Sequence, residues 1–164
     1  MILREGRVHD YGTPERIYTK PASVFVANLL GGANFLEGIV ESDTHDSVLL
    51  RIRGGLNIRA PWAPLTHGEP VVIGVRKEHL KISYVAPDVE NTIGGVIRNV
   101  RFLGRWREYV VRLINGDIVT GRQFTGSDNQ QFRVGDSVIA AFQQRDTLIF
   151  AYPSRGLRKE LEIS

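Results

Sequence analysis

From Asn34 onward, apolar side chains recur at every second position in short runs. Val48, Leu50 and Ile52 alternate with Leu49, Arg51 and Arg53; Val71, Ile73 and Val75 alternate with Val72, Gly74 and Arg76. Tyr109, Val111 and Leu113 alternate with Glu108, Val110 and Arg112. A period of two sends successive side chains to opposite faces of a strand, so these runs predict β-strands with one apolar face. Gly54-Gly55, Asn115-Gly116 and Gly135-Asp136 mark turns between them, and Asn-Gly is the strongest two-residue hairpin signal. Ser42-Asp43 and Ser127-Asp128 read as turns as well.

Residues 1 to about 32 follow a different rule. They predict a short strand followed by two helices. Thr13 suits an N-cap and Pro14 the first helical position, where a missing N–H costs nothing. Pro21 stops the first helix because it cannot continue the hydrogen-bond ladder. In the second helix Phe25 with Leu29, and Val26 with Leu30, lie four residues apart and share a face. Gly31-Gly32 then ends it.

The β-rich part repeats itself. One unit, about 34–83, runs from Asn34 through Gly38-Ile39-Val40, Val48-Leu49-Leu50, Gly54-Gly55 and Gly68-Glu69-Pro70-Val71 to Leu80-Lys81-Ile82. The other, about 91–152, runs from Asn91 through Gly95-Val96-Ile97, Val110-Val111-Arg112, Asn115-Gly116 and Gly135-Asp136-Ser137-Val138 to Leu148-Ile149-Phe150. Neither unit alone can bury both faces of its strands, so the two are expected to interleave into small OB-like barrels, in which closure removes exposed edges. The expected division is 1–32 as linker and 33–164 as one mainly-β domain.

Composition narrows the chemistry. Among 164 residues, 42% are hydrophobic and 24% charged, the balance of a soluble globular chain. No apolar run approaches the roughly 18 residues of a membrane-spanning helix, and the first residues lack a signal-peptide pattern. Zero cysteines exclude disulfides, thiolate metal sites and a cysteine nucleophile. A formal charge of +3 names no partner. A cytosolic protein is the expectation.

Three segments resemble one known family. Gly12-Thr13-Pro14 through Pro21, Phe25-Val26-Ala27, Gly31 and Asn34-Phe35 is similar to the junction that follows the nucleotide-binding domain in ATP-binding subunits of ABC importers. Val75-Arg76-Lys77-Glu78-His79 resembles the Arg-Pro-Glu-His segment of their C-terminal transport-associated OB (TOBE) domain, and Phe102-Leu103-Gly104 its aromatic-Leu-Gly step. Junction and repeat together cover essentially the whole chain. Lys77 replaces the usual proline, and Asp10 stands where many members carry glutamine.

The resemblance implies a regulatory and dimerisation domain of an importer ATPase for sugars, polyamines, ferric iron or oxyanions, peripheral at the inner face of the membrane. Its implied partners are a second copy of the subunit, permease subunits reached through the missing domain, and a small solute or anion. Arg76, Glu78 and His79, with Arg101, Arg105 and Trp106 of the second unit, are the candidate ligand or interface residues. Residues 1–32 would then be the tail of the nucleotide-binding domain with its linker helices, and Gly12, Pro14, Pro21, Phe25 and Gly31 are the linker positions.

Phosphate-binding chemistry is missing from the sequence. No glycine pair is followed by Gly-Lys-Ser/Thr, and the acidic and signature loops of an ABC ATPase are absent too. The chain itself is therefore expected not to hydrolyse ATP or to hold a cofactor; ATP and Mg²⁺ belong to the parent subunit. A truncation, or a start assigned at an internal methionine, is the expectation for Met1. His45 in Asp43-Thr44-His45-Asp46 could be drawn as a metal ligand, but the segment reads as a polar hairpin tip.

Two alternatives come from other classes. Arg98, Arg101, Arg105, Arg107 and Arg112 interleave with Phe102, Trp106 and Tyr109, the chemistry with which an OB-fold binds single-stranded nucleic acid. The other is a free-standing module for small anions.

Overall fold

A computed structural model describes residues 1–126 and 130–162, so the Ser127-Asp128 turn lies outside the described residues. Two short strands, not one, open the chain: β1 (Ile2–Arg4) and β2 (Arg7–Asp10) form an antiparallel hairpin. Helix α1 (Pro14–Thr19) starts as the sequence predicts, with the Thr13 hydroxyl accepting from Arg16 N–H at 3.3 Å and Pro14 in the first turn. Helix α2 (Val24–Leu29) restarts from Ser23, whose hydroxyl accepts from Val26 N–H at 3.3 Å. Its buried residues are Val24, Phe25, Val26 and Ala27, whereas Leu29 is exposed. The helix is wedged between two surfaces and has no single apolar stripe. Gly31, at φ +92°, turns the chain out of α2 through the left-handed region that favours glycine.

The two units follow one plan. The first supplies β3 (Ala33–Asp43), β4 (Ser47–Ile52), β5 (Asn57–Pro61), β6 (Pro70–Arg76) and, after a 3₁₀ turn at Lys77–His79, β7 (Lys81–Ser83). The second supplies β8 (Asn91–Leu103), β9 (Trp106–Leu113), β10 (Ile118–Phe124), β11 (Ser137–Phe142) and, after a 3₁₀ turn at Gln144–Asp146, β12 (Thr147–Ala151). A last helix, α3 (Leu157–Leu161), follows.

Each unit gives its last strand away. One sheet has the order β12-β6-β3-β4-β5 and the other β10-β9-β8-β11-β7, all neighbours antiparallel. The interleaving expected from the repeat is this exchange of β7 and β12. Both sheets curl, and their inner faces share one core that runs from Val48, Leu50 and Ile73 to Ile97, Tyr109 and Val111. The outer face of the first sheet is covered by α2 and α3: Val24 and Ala27 pack on Val72 and Phe150, with Leu157 and Leu161 beside them. Strand β6 is therefore apolar on both faces.

The Asn-Gly hairpin differs from the expected two-residue type. Leu113 N–H donates to Asp117 C=O at 2.8 Å, which leaves three residues, 114–116, in the loop. Gly116 at φ +89° takes the left-handed position that closes a three-residue hairpin.

Two asparagines tie the sheets together. Asn34 exchanges two hydrogen bonds with the main chain of Thr120 in β10, at 2.7 and 2.9 Å. At the equivalent position of the other unit, Asn91 does the same with Arg59 in β5, at 2.7 and 2.9 Å. Both asparagines are buried. Asn91→Ala should cost about 2 kcal/mol, because Arg59 loses both main-chain partners; urea unfolding checks it.

Candidate functional site

The charged segment after β6 meets the end of the linker. Arg76 is 3% exposed. Its Nη1 donates to the carbonyls of Ala27 at 3.0 Å and Leu30 at 2.7 Å, and its Nη2 to the carbonyl of Tyr18 at 2.7 Å. Those carbonyls lie at the C-terminal ends of α2 and α1, where backbone acceptors lack helical partners. The guanidinium also stacks on the Tyr18 ring, 3.9 Å from its centroid. One side chain thus fastens both helices to β6.

Glu78 extends this contact. Its carboxylate accepts from the Tyr18 hydroxyl. Burial alone would push the Glu78 carboxyl up, but the Tyr18 hydrogen bond and the charges of His79 and Arg76 outweigh it and hold it below its ordinary value. His79, on the same 3₁₀ turn, lies with Nδ1 3.9 Å from Asp146 Oδ1, where the two equivalent turns of the repeat meet.

A cleft of about 430 Å³ opens beside Glu78. It is the seam between edge strands β7 and β10, lined by Leu80 and Ile82 on one side and Gly121 and Arg122 on the other. Trp106, Tyr109 and Phe132 form aromatic walls. Trp106 packs edge-on against Phe124 at 5.6 Å, with the Arg122 guanidinium 5.8 Å from its ring centroid. Gly121 lets the strands approach at one end: a Cβ there would lie 2.9 Å from Leu80 O.

Behind Arg122 sits a residue whose role the alternation pattern hides. Alternation puts Glu108 opposite the apolar face of β9, yet it is 2% exposed. Its Oε2 accepts from Arg122 Nη2 at 2.8 Å and Nε at 3.1 Å, and lies 3.4 Å from Lys77 Nζ. Burial would raise its carboxyl; the Arg122 hydrogen bonds and the Lys77 charge overcome that and depress it. Its register partner on β10 is Arg122, the only sequence signal, and that pairing is visible only once the hairpin is placed.

The structure therefore brings Arg76, Glu78 and Trp106 into one neighbourhood with Tyr18, Lys77, Glu108 and Arg122. Arg101, opposite Glu108 in the β8–β9 ladder, and Arg105, which precedes Trp106, are exposed and form no hydrogen bond or ion pair with these side chains. Of the linker positions, Pro14 opens α1, Pro21 and Phe25 are buried, and Gly12 packs against the Arg16 side chain. A second fastening lies there: the Asp10 carboxylate accepts from Arg16, from Tyr11 N–H at 2.8 Å and from Ala22 N–H at 2.9 Å. His45 lies in the β3–β4 loop beside Thr44 and Asp46, whose side chains hydrogen-bond to each other at 3.3 Å.

Two exchanged strands in paired curled sheets, entered through short helices, define the class. Residues 73–150 match the TOBE domain, and the chain carries a TOBE domain of the kind found in ABC importer ATP-binding subunits. In particular, it is similar to the spermidine/putrescine import ATP-binding protein PotA of Trichodesmium erythraeum, 36% identical over 130 residues, which are 74% of this chain and 34% of that protein. PotA of Rubrobacter xylanophilus is 30% identical over 152 residues, covering 90% of this chain and 39% of the relative. The chain thus spans little more than a third of the length of these curated relatives. Among solved structures, the cytoplasmic molybdate-binding protein ModG with molybdate bound superposes with a TM-score of 0.62 at 16% identity, covering 72% of this chain and 95% of that one. That likeness establishes the fold. No helix among the described residues is long and apolar enough to cross a membrane.

Proposed function

We propose that the chain is the regulatory part of an ABC importer ATPase and acts in a cytoplasmic, membrane-peripheral complex without an ATP site of its own. The observation that carries this reading is the Arg76 contact, in which one buried guanidinium joins the ends of both linker helices to the barrel. A nucleotide-binding domain attached through those helices would move with the barrel as one body. The barrel would pair with a second copy and hold two ATPase domains in register, while permease subunits are met through the ATPase domain. The cleft between Glu78 and Trp106 is the place for a small solute or anion, because it touches the same segment that holds the helices. A ligand that favours one arrangement of the pair would shift the ATPase between states.

Two measurements test the reading. Mg-ATP titrated into the purified chain should give no binding. A chimera in which the chain replaces the matched region of the Trichodesmium relative should hydrolyse ATP and form dimers as the relative does. A chimera no better than the relative with that region deleted would contradict the proposal.

A further inference from the structure

The β8–β9 hairpin carries an unused strand edge. Strand β8 pairs with β9 as far as Leu103, but its other neighbour, β11, pairs only with Asn91–Val96. Two loop hydrogen bonds at Ile97, to Asp136 at 3.0 Å and from Gly135 at 2.8 Å, close that ladder. From residue 98 to 103 the edge meets no strand among the described residues, and Val100 N–H is covered only by the adjacent Asn99 side chain at 2.9 Å. Such an edge offers a row of main-chain donors and acceptors to an added strand.

The side chains around the edge restrict what could be added. Arg98, Arg101 and Arg105 are exposed and form no ion pair with any described residue. Phe102 is 68% exposed and Leu103 52%, with Arg107 5.9 Å from the Phe102 ring. Arginine alone would blunt an edge against pairing; a large exposed aromatic beside it does the opposite. Pairing with a second copy would bring two edges that both carry Arg98 and Arg101 together, and like charges across strands repel. Nucleic acid fits less well, because Trp106 is packed against Phe124 and Phe102 is left as the one well-exposed ring of the hairpin.

We infer that the outer edge of β8 over residues 98–103 is a docking site for an extended acidic segment of another polypeptide, which adds to the sheet as a strand. Its side chains alternate, with carboxylates toward Arg101 and Arg105 and apolar groups toward Phe102. The inference goes beyond the regulatory reading and does not depend on it.

The test is an NMR titration of the whole chain with a capped heptapeptide that alternates Glu and Val. Chemical-shift changes and slowed amide exchange should centre on residues 98–103. Affinity should fall several-fold as salt rises, and Phe102→Ser should weaken it about tenfold while leaving the melting temperature unchanged. A peptide N-methylated at alternate residues should not bind, since it keeps the charge and loses the strand hydrogen bonds. Equal binding of the methylated peptide, shifts centred elsewhere, or no binding at low salt would overturn the inference. So would a thymidine oligonucleotide that shifts these amides when the peptide does not.

Discussion

Arg76→Met should destabilise the protein by about 3 kcal/mol and free the linker helices before the barrel melts. The side chain is buried, and its loss strands the carbonyls of Tyr18, Ala27 and Leu30 without their charged donor. Methionine keeps most of the volume, so the effect reports the hydrogen bonds and not a cavity. Arg76→Lys should recover only part of it, because an ammonium cannot span three acceptors set in a planar fork. Urea unfolding followed separately by helix and aromatic signals checks this. A single transition at the unchanged midpoint would show that the helices are held by their apolar contacts alone.

The second large effect is expected at Glu108. Glu108→Leu should cost about 2 kcal/mol, less than for a fully enclosed pair, because Arg122 and Lys77 are 22% and 26% exposed and partly regain water. Replacing Arg122 in the same chain should cost little more, so the double variant is less damaged than the sum of the single ones. The carboxylate also makes stability depend on pH. Its folded pKa is depressed, so its contribution is complete above the unfolded carboxyl value of about 4.3 and is lost as pH falls through the lower folded value. Glu78 and Asp10 are depressed as well, against the opposing effect of burial, and act in the same direction. Stability should therefore drop below about pH 4, and Glu108→Gln should drop less steeply there.

What the sequence reveals here depends on range. The Thr13 cap and the Pro14 start are local, and they stand where the residues place them. The two-unit plan is legible because similar strands recur in one order. The recipients of β7 and β12 are not, since strand exchange is decided by partners more than fifty residues away. The hairpin of β1 and β2 escapes because its turn uses Glu5 at φ +51°, a conformation that glutamate does not advertise. The fastening by Arg76 leaves no pattern either, since all three of its hydrogen-bond acceptors are main-chain carbonyls. Glu108 misleads for a further reason. Alternation assigns a residue to a face, and near the barrel seam that face is closed by Arg122 of β10 and by Lys77 of the 3₁₀ turn after β6.

The central claim is that linker helices and barrel form one mechanical body. Native-state hydrogen exchange on the unmodified chain measures it directly. The amides of α1 and α2 should open with the same free energy and the same denaturant dependence as those of β6. Exchange of the helix amides through a separate low-energy opening, with β6 still protected, would contradict the account.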